Sequence, residues 1–171
     1  STTSVTCFGL CNGTITAVSV DGGTPPYTYL WRNGATTKDL TGLCAGSYYL
    51  TVTDAHSCDA RPFQFIYEPP VLGIDPIAVI TPATCYGGGG GAIEITVTGG
   101  TEPYSFLWTN NATTQNISGL MAGCYTVTVT DANNCMDTES FCVTQPDPIP
   151  AMVHPMDASC YGYCDGMLHI M

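Results

Sequence analysis

The sequence predicts an all-β fold made of tandem immunoglobulin-like β-sandwich modules, stabilised by disulfides. Three observations support this: segments that alternate apolar and polar residues at a period of two, turn residues between them, and an internal repeat with a shift of 77 residues. Short strands separated by turns every 8–12 residues are typical of such a sandwich. No stretch of useful length shows helical periodicity.

The clearest strand signals are residues 93–98 and 125–130, in which apolar residues alternate with threonine or glutamate. β-Branched side chains suit a pleated strand, and the threonine hydroxyl is satisfied by water. Each strand is therefore expected to have one buried face. Glycine-rich or polar turns at residues 22–24, 33–34, 45–46 and 54–57 separate the strands of the first module.

The repeat covers most of the chain. Between Gly22 and Cys58, 22 of 37 positions are identical to those found 77 residues later. A third copy begins at residues 160–166, which match residues 7–13. The predicted organisation is one sandwich over residues 1–70, a second over 71–148, and a linker with the first strand of a truncated third repeat over 149–171. The modules are joined by proline-rich segments at residues 68–70 and 145–150. Proline-rich linkers are extended and fairly stiff.

Composition argues against several functional classes. Lysine and arginine total 3 against 14 acidic residues, which gives a net charge of −11. Nucleic acids and anionic membranes both require a cationic face, so neither is an expected partner. No apolar run reaches the roughly 20 residues of a membrane helix, so no membrane insertion is expected. Because Ser1 starts without an initiator methionine, we expect a processed product or a segment of a longer protein.

The ten cysteines indicate disulfides in an oxidising compartment rather than a zinc site, because no Cys-x-x-Cys pair is present. Cys7 and Cys85 occupy equivalent positions, as do Cys58 and Cys135, and we predict Cys7–Cys58 and Cys85–Cys135 bridges within the modules.

Each module is expected to have a second bridge at a different place. Module two has no cysteine at the positions equivalent to Cys11 and Cys44, and module one has none at the positions equivalent to Cys124 and Cys142. If Asp131 faces Cys135 across the closing turn, then Cys124 directly faces Cys142.

Cys160 and Cys164 repeat the spacing of Cys7 and Cys11. Their partners are expected beyond residue 171 or in a neighbouring copy, which makes them candidates for links between segments. The strand around residues 168–170 is expected to expose an unpaired edge.

Four motifs occur twice in the same order: Cys-Phe/Tyr-Gly, Gly-Gly-Thr-x-Pro-Tyr-x-x-x-Trp, Gly-Leu-x-Ala-Gly-x-Tyr and Val-Thr-Asp-Ala. Together they resemble the SprB-type repeat of large surface adhesins of gliding Bacteroidota. It implies extracellular display, export by type IX secretion, and a role in adhesion or filament building. It provides no catalytic residues. The additional cysteines and the Gly87–Gly91 run depart from the pattern.

Nothing in the sequence predicts catalysis or a bound cofactor. The three histidines fall in a turn, a linker and the last strand, and no Gly-x-Ser-x-Gly motif occurs. Asp54 and Asp131 each close a strand at the same hairpin. Capping of the turn is the favoured interpretation, and a calcium site, which needs 6–8 oxygen ligands, is the alternative.

Trp31 and Trp108 end equivalent strands and are interpreted as core residues, with stacking on a glycan as the weaker alternative. The sequence thus predicts a non-catalytic segment of a secreted bacterial adhesin or extracellular filament, located at the cell surface. It would form a rigid, disulfide-linked stalk, with copies of itself or adjoining repeats as partners. The alternative is a carbohydrate-binding module that recognises surface glycans.

Overall fold

A computed structural model describes residues 1–16, 19–151, 153–156 and 167–170, the last two ranges as backbone only. Within these ranges all regular structure is β-strand, and no helix is available to cross a membrane. The strands are β1 (Thr2–Thr3), β2 (Gly13–Ile15), β3 (Thr28–Trp31), β4 (Leu40–Leu43), β5 (Gly46–Thr53), β6 (Asp59–Ala60), β7 (Phe63–Ile66), β8 (Gly73–Ile74), β9 (Val79–Thr81), β10 (Gly91–Glu94), β11 (Val97–Thr98), β12 (Ser105–Trp108), β13 (Ile117–Leu120), β14 (Gly123–Thr130), β15 (Met136–Val143), β16 (Val153–Met156) and β17 (Met167–Ile170).

The first sandwich has one sheet with the order β1-β2-β4 and a second in which β3, β6 and β7 all pair with β5. Every pairing is antiparallel. The buried apolar residues between the sheets are Val5, Ile15, Trp31, Leu40, Leu43, Leu50, Val52 and Ile66. This arrangement confirms the predicted all-β, immunoglobulin-like sandwich.

The second sandwich repeats this plan with sheets β9-β10-β13 and β12-β14-β15, and the short β8 pairs with β11. Its core consists of Ile74, Ala83, Ile93, Ile95, Trp108, Ile117, Leu120, Val127, Val129, Phe141 and Val143. Two separate cores explain why the repeat is visible in the sequence, since each repeat buries its own apolar face.

Strand β14 shows how the alternating pattern becomes a buried and an exposed face. Val127 and Val129 are fully buried. On the other face, the Thr126 hydroxyl lies 2.6 Å from that of Ser140 on β15. Period-two alternation thus places valine in the core and threonine in cross-strand hydrogen bonds, as the sequence predicts.

The third repeat is described only by β16 and β17, which pair antiparallel with Val153 opposite Ile170. The last strand is therefore paired along one edge, and no strand among the described residues pairs with its other edge. The same pairing joins β9 to β10 in the second sandwich. Cys160 and Cys164 lie outside the described residues.

Candidate functional site at the joint between the sandwiches

A disulfide links the two sandwiches. Cys7 of the first sandwich is bonded to Cys135 of the second, with Cα atoms 5.7 Å apart and 128 residues between them in sequence. The predicted Cys7–Cys58 and Cys85–Cys135 bridges are therefore wrong. Cys58 and Cys85 are free and exposed.

Bridges within a module do not form because Cys7 and Cys58, like their equivalents Cys85 and Cys135, lie at opposite ends of a sandwich. The Cys7 loop adjoins the end at which the chain leaves the module, where the N–H of Gly9 donates to the carboxylate of Glu68. Cys58 follows the hairpin at the far end of β5, whose eight residues span roughly 25 Å. The hairpin of the next sandwich, in contrast, lies next to Cys7.

Hydrogen bonds and the linker reinforce the joint. The Asn133 side chain donates to the Thr6 carbonyl oxygen across the two sandwiches at 3.0 Å. The linker docks on the second sandwich, where the Pro70 carbonyl accepts the N–H of Gly100 at 2.9 Å. The disulfide, the Cys7 loop and the linker border an open cleft, which is lined by Cys7, Phe8, Leu10, Val71, Leu72, Cys135 and Met136.

Two glycines allow the linker to approach this closely. Gly99 and Gly100 have φ angles of +66° and +62°, in the left-handed region that favours glycine. A Cβ on Gly99 would collide with the Val71 carbonyl group, and one on Gly100 would lie 2.9 Å from a Leu72 methyl group. The Gly-Gly-Thr motif thus forms the seat of the linker.

Asp54 caps the closing hairpin of the first sandwich. Its carboxylate accepts the backbone N–H groups of His56 and Cys58, each at 2.9 Å, and of Thr24 at 3.0 Å. The N–H groups of Cys58 and then Thr24 hold the pKa of Asp54 below its ordinary value of 3.8 and outweigh the opposing effect of burial.

Asp131 makes the equivalent contacts in the second sandwich, with the N–H groups of Thr101, Asn133 and Cys135. This geometry is that of a turn cap, the interpretation favoured from the sequence. Among the described residues, no three histidine, cysteine, aspartate or glutamate side chains form a group that could hold a metal ion.

The remaining disulfides lie within single sandwiches. Cys11 is bonded to Cys44, and Cys124 to Cys142. Cys124 and Cys142 face each other directly on β14 and β15, which is the predicted register. Their Cα atoms are 4.0 Å apart, below the roughly 7 Å beyond which a disulfide cannot form without backbone movement.

Comparison with protein families finds the SprB repeat at residues 1–36 and again at residues 77–113. The two matches start at equivalent points of the two sandwiches and include Cys7 and Cys85. Each of the two sandwiches thus matches the SprB repeat over part of its length. The hairpin cysteines Cys58 and Cys135 lie outside both matched stretches.

Comparison with curated proteins finds no match. Among solved structures, the chain is similar to the C-terminal 282-residue fragment of intimin in complex with the intimin-binding domain of the translocated intimin receptor. The identity is 17%, the TM-score is 0.45, and the alignment covers 91% of this chain and 64% of the intimin chain.

It is also similar to domains 4–9 of the surface layer protein SbsC, at 12% identity and a TM-score of 0.27. That alignment covers 92% of this chain and 30% of the SbsC chain. The chain thus spans less than two thirds of either structure.

Both tryptophans of the SprB-type repeats are core residues. Trp31 and Trp108 are 2% and 1% exposed. Each indole N–H donates at 2.8 Å to a backbone carbonyl, that of Thr37 or Thr114. Stacking on a sugar requires an exposed ring face, so the weaker interpretation of these residues as glycan-binding candidates is wrong.

The first SprB-type repeat instead presents an exposed row of aromatic rings that the sequence analysis missed. The ring centroids of Tyr49, Phe63, Phe65 and Tyr67 follow one another at 5.9, 5.5 and 6.1 Å. All four side chains are between 46% and 67% exposed, and the Arg32 guanidinium lies 5.7 Å from the ring centroid of Tyr49. The signal in the sequence is the alternation of aromatic residues at positions 63, 65 and 67.

Proposed function

We propose that this chain is a non-catalytic stalk segment of an extracellular bacterial adhesin or filament at the cell surface. Support comes from the SprB-type repeats, for which the resemblance implies surface display and type IX secretion. The observation that carries the proposal is the Cys7–Cys135 disulfide. A covalent bond beside a docked linker fixes two sandwiches relative to each other, which a stalk requires and an isolated binding domain does not.

The relative motion of the two sandwiches tests the stalk. Nitrogen-15 relaxation of the oxidised chain should give one common rotational diffusion tensor for both sandwiches. In C7S/C135S the two sandwiches should reorient separately. The C124S/C142S variant is the matched control, because it removes a disulfide within one sandwich and leaves the joint intact. Separate reorientation in the parent chain would contradict the proposal.

The proposed location requires a different measurement. Antibodies raised against the chain should label intact cells of the source organism, and shaving of the cells with a protease should release the labelled protein. Labelling that requires permeabilised cells would contradict surface display. Neither experiment measures ligand binding, which requires a separate test.

The aromatic row supports glycan binding as a second candidate function. Tyrosine and phenylalanine rings offer rigid apolar faces, and tyrosine adds a hydroxyl for hydrogen bonding. A row of exposed rings on one sheet face is suited to an extended sugar chain.

A glycan array on the parent chain and on F63S/F65S tests this candidate. Selective binding that is lost in the variant supports it. The control Y86S removes a 59% exposed ring elsewhere and should leave binding unchanged. Equal binding by all three proteins, or no selective binding by the parent, contradicts it.

A further inference from the structure

The aromatic row lies on the outer face of the sheet built on β5, where Tyr49 faces Phe63 across the strand pair. In the second sandwich the equivalent pair is Thr126 and Ser140. Small side chains occupy all the positions there that are equivalent to Arg32 and the four rings, namely Thr109, Thr126, Ser140, Cys142 and Thr144. The second sandwich therefore folds on the same plan without exposed rings. Exposed apolar groups that the fold does not need indicate an interaction surface.

The hydroxyl groups of the row also differ from those of other tyrosines. Four tyrosines donate the hydroxyl to a backbone carbonyl oxygen four or five residues away, namely Tyr27, Tyr48, Tyr104 and Tyr125. Within the described ranges, the hydroxyls of Tyr49 and Tyr67 have no such partner. They are therefore available to hydrogen-bond a ligand that lies on the row.

Arg32 lies beside the first ring of the row. The central carbon of its guanidinium is 5.7 Å from the ring centroid of Tyr49. This cation–π contact leaves N–H donors of the guanidinium open to a further partner. In the part of the chain that the structure describes, the one ion pair joins Arg61 to Asp59 at 2.7 Å, so Arg32 has no carboxylate partner there.

Two open clefts border the pair formed by Arg32 and Tyr49. One has a volume of about 240 Å³ and extends past Ser47. The other has a volume of about 490 Å³ and extends over Leu30 and Thr51. Both clefts are lined by Arg32 and Tyr49, so a ligand group beside the ring can reach the guanidinium from either side.

The distribution of charge favours an acidic ligand at this face. Residues 1–70 contain five acidic residues and all three basic residues, whereas residues 71–148 contain seven acidic residues and no basic residue. The outward positions of β3, β5 and β7 carry no carboxylate, since they are Thr28, Leu30, Ser47, Tyr49, Thr51, Thr53, Phe63 and Phe65. Exposed charges more than about 8 Å away are largely screened at about 0.15 M salt. An acidic ligand on this face therefore meets one unpaired cation and no carboxylate.

We propose that the aromatic row binds an acidic polysaccharide and that Arg32 recognises its carboxylate groups. This inference rests on the second candidate function, glycan binding, and names the class of glycan. The C–H faces of successive sugar rings stack on the aromatic rings, and the row is longer than a single sugar. The carboxylate of a uronic-acid unit accepts two N–H groups of the guanidinium, whose planar fork matches it.

A second copy of the chain is a poorer occupant of this face. Pairing of two identical faces about a twofold axis would bring the same residues together from both copies. The outer face carries no carboxylate, so such a pair would leave both Arg32 side chains without an anionic partner. An acidic polysaccharide satisfies the rings and the cation together.

Polygalacturonate and its methyl ester test the proposal, because the ester is the same sugar chain without its charges. Titration calorimetry at about 0.15 M salt should show that the parent chain binds polygalacturonate more tightly than the ester. Arg32→Gln should weaken binding of polygalacturonate about three- to tenfold, the effect of one exposed charge-assisted contact. Its affinity for the ester should equal that of the parent.

Arg61→Gln is the matched control, because it removes the same charge from the same sandwich at a side chain that is 78% exposed. It should bind polygalacturonate as the parent does. Equal losses in the two arginine variants would show attraction by net charge without a site, and would overturn the proposal. Equal affinity of the parent for polygalacturonate and the ester, or no binding of either, would also overturn it.

F63S/F65S separates this inference from the candidate function on which it rests. Serine is present at the equivalent of Phe63 in the second sandwich, and an amide NMR spectrum verifies that the variant is folded. It should lose binding to both polysaccharides. Binding of neutral glycans that is lost in F63S/F65S, without a preference for polygalacturonate, would support glycan binding and overturn the acidic class. Dimers of the parent in sedimentation that disappear in F63S/F65S, without binding of polygalacturonate, would instead identify the row as an interface between copies.

Discussion

Asp131 occupies in the second sandwich the hairpin position that Asp54 occupies in the first, and each carboxylate accepts three backbone N–H groups. Asp131 is only 4% exposed, whereas Asp54 is half-buried. The difference arises at the joint, where Leu72 contacts the seat beside Asp131. The Asp131 cap is therefore the more buried of the two, and Leu72 of the linker lies beside it.

The lowered pKa of Asp54 predicts acid sensitivity of the first sandwich. A carboxyl group whose pKa is lower in the folded state contributes stability above its unfolded pKa, and that contribution is lost as the pH falls through the folded value. Stability should therefore decline below the ordinary value of 3.8. Urea unfolding at a series of pH values, from about 6 to about 2, measures this decline in stability.

Asp54→Asn removes the titrating group and should flatten this part of the pH profile while lowering stability at neutral pH. The control Asp147→Asn alters an exposed linker carboxylate and should leave the profile unchanged. A profile for the Asp54→Asn chain that parallels the parent would contradict the assignment.

Asp131→Ala should destabilise the second sandwich by about 1–3 kcal/mol, because it leaves part-buried N–H groups without acceptors. Thr101 and Cys135 supply two of these N–H groups. Chemical denaturation monitored by NMR reports on each sandwich separately. The loss should fall on the second sandwich, and equal destabilisation of the first would show that the cap acts on the whole chain.

Most of the fold could be predicted from the sequence because each module buries its own face. Alternation at residues 125–130 determines which side of β14 faces the core. The turn at Asp131 determines the register that places Cys124 opposite Cys142. These are local constraints, and the sequence contains all the residues that impose them.

The joint could not be predicted in the same way. Cys7 and Cys58 recur together in both repeats, and this recurrence is satisfied equally by pairing within a module or between adjacent modules. Only the position of the Cys7 loop, at the opposite end of the sandwich from the hairpin, distinguishes the two. The boundaries at residues 70 and 148 stay a prediction.

Trp108→Ala should lower the free energy of unfolding by about 3–5 kcal/mol, the usual range for removing a buried large aromatic side chain. It also leaves the Thr114 carbonyl oxygen without the indole N–H. The control is Leu107→Ala, one residue earlier on β12, where the side chain is 56% exposed. Thermal unfolding should separate the two variants clearly, and similar melting temperatures would contradict the assignment of Trp108 to the core.

The Cys124–Cys142 bridge closes a loop with a sequence separation of 18. The chain-entropy description gives about 3 kcal/mol for a loop of this length. C124S/C142S should therefore lower the unfolding free energy of the second sandwich by about that amount. Cys58→Ser, which alters an exposed free thiol, is the control and should be neutral. A neutral C124S/C142S variant would show that the paired strands alone stabilise this edge.

Gly91 begins β10 at a point where the neighbouring sheet leaves no room for a side chain. A Cβ there would lie 2.5 Å from a methyl group of Val143 and 3.0 Å from the Leu120 carbonyl oxygen. Gly91→Ala should therefore cost about 1–3 kcal/mol through overpacking. Gly73→Ala is the matched control, because its nearest contact would be 3.8 Å from the Thr98 hydroxyl oxygen.

Val143→Ala removes the methyl group that the new Cβ would meet, so the combined Gly91→Ala and Val143→Ala chain should lose less stability than the two single variants predict together. Residues in contact show such coupling, whereas independent sites add. Urea unfolding of the four chains in this cycle measures the coupling. Strict additivity would mean that the carbonyl group of Leu120, and not the Val143 side chain, excludes a Cβ at position 91.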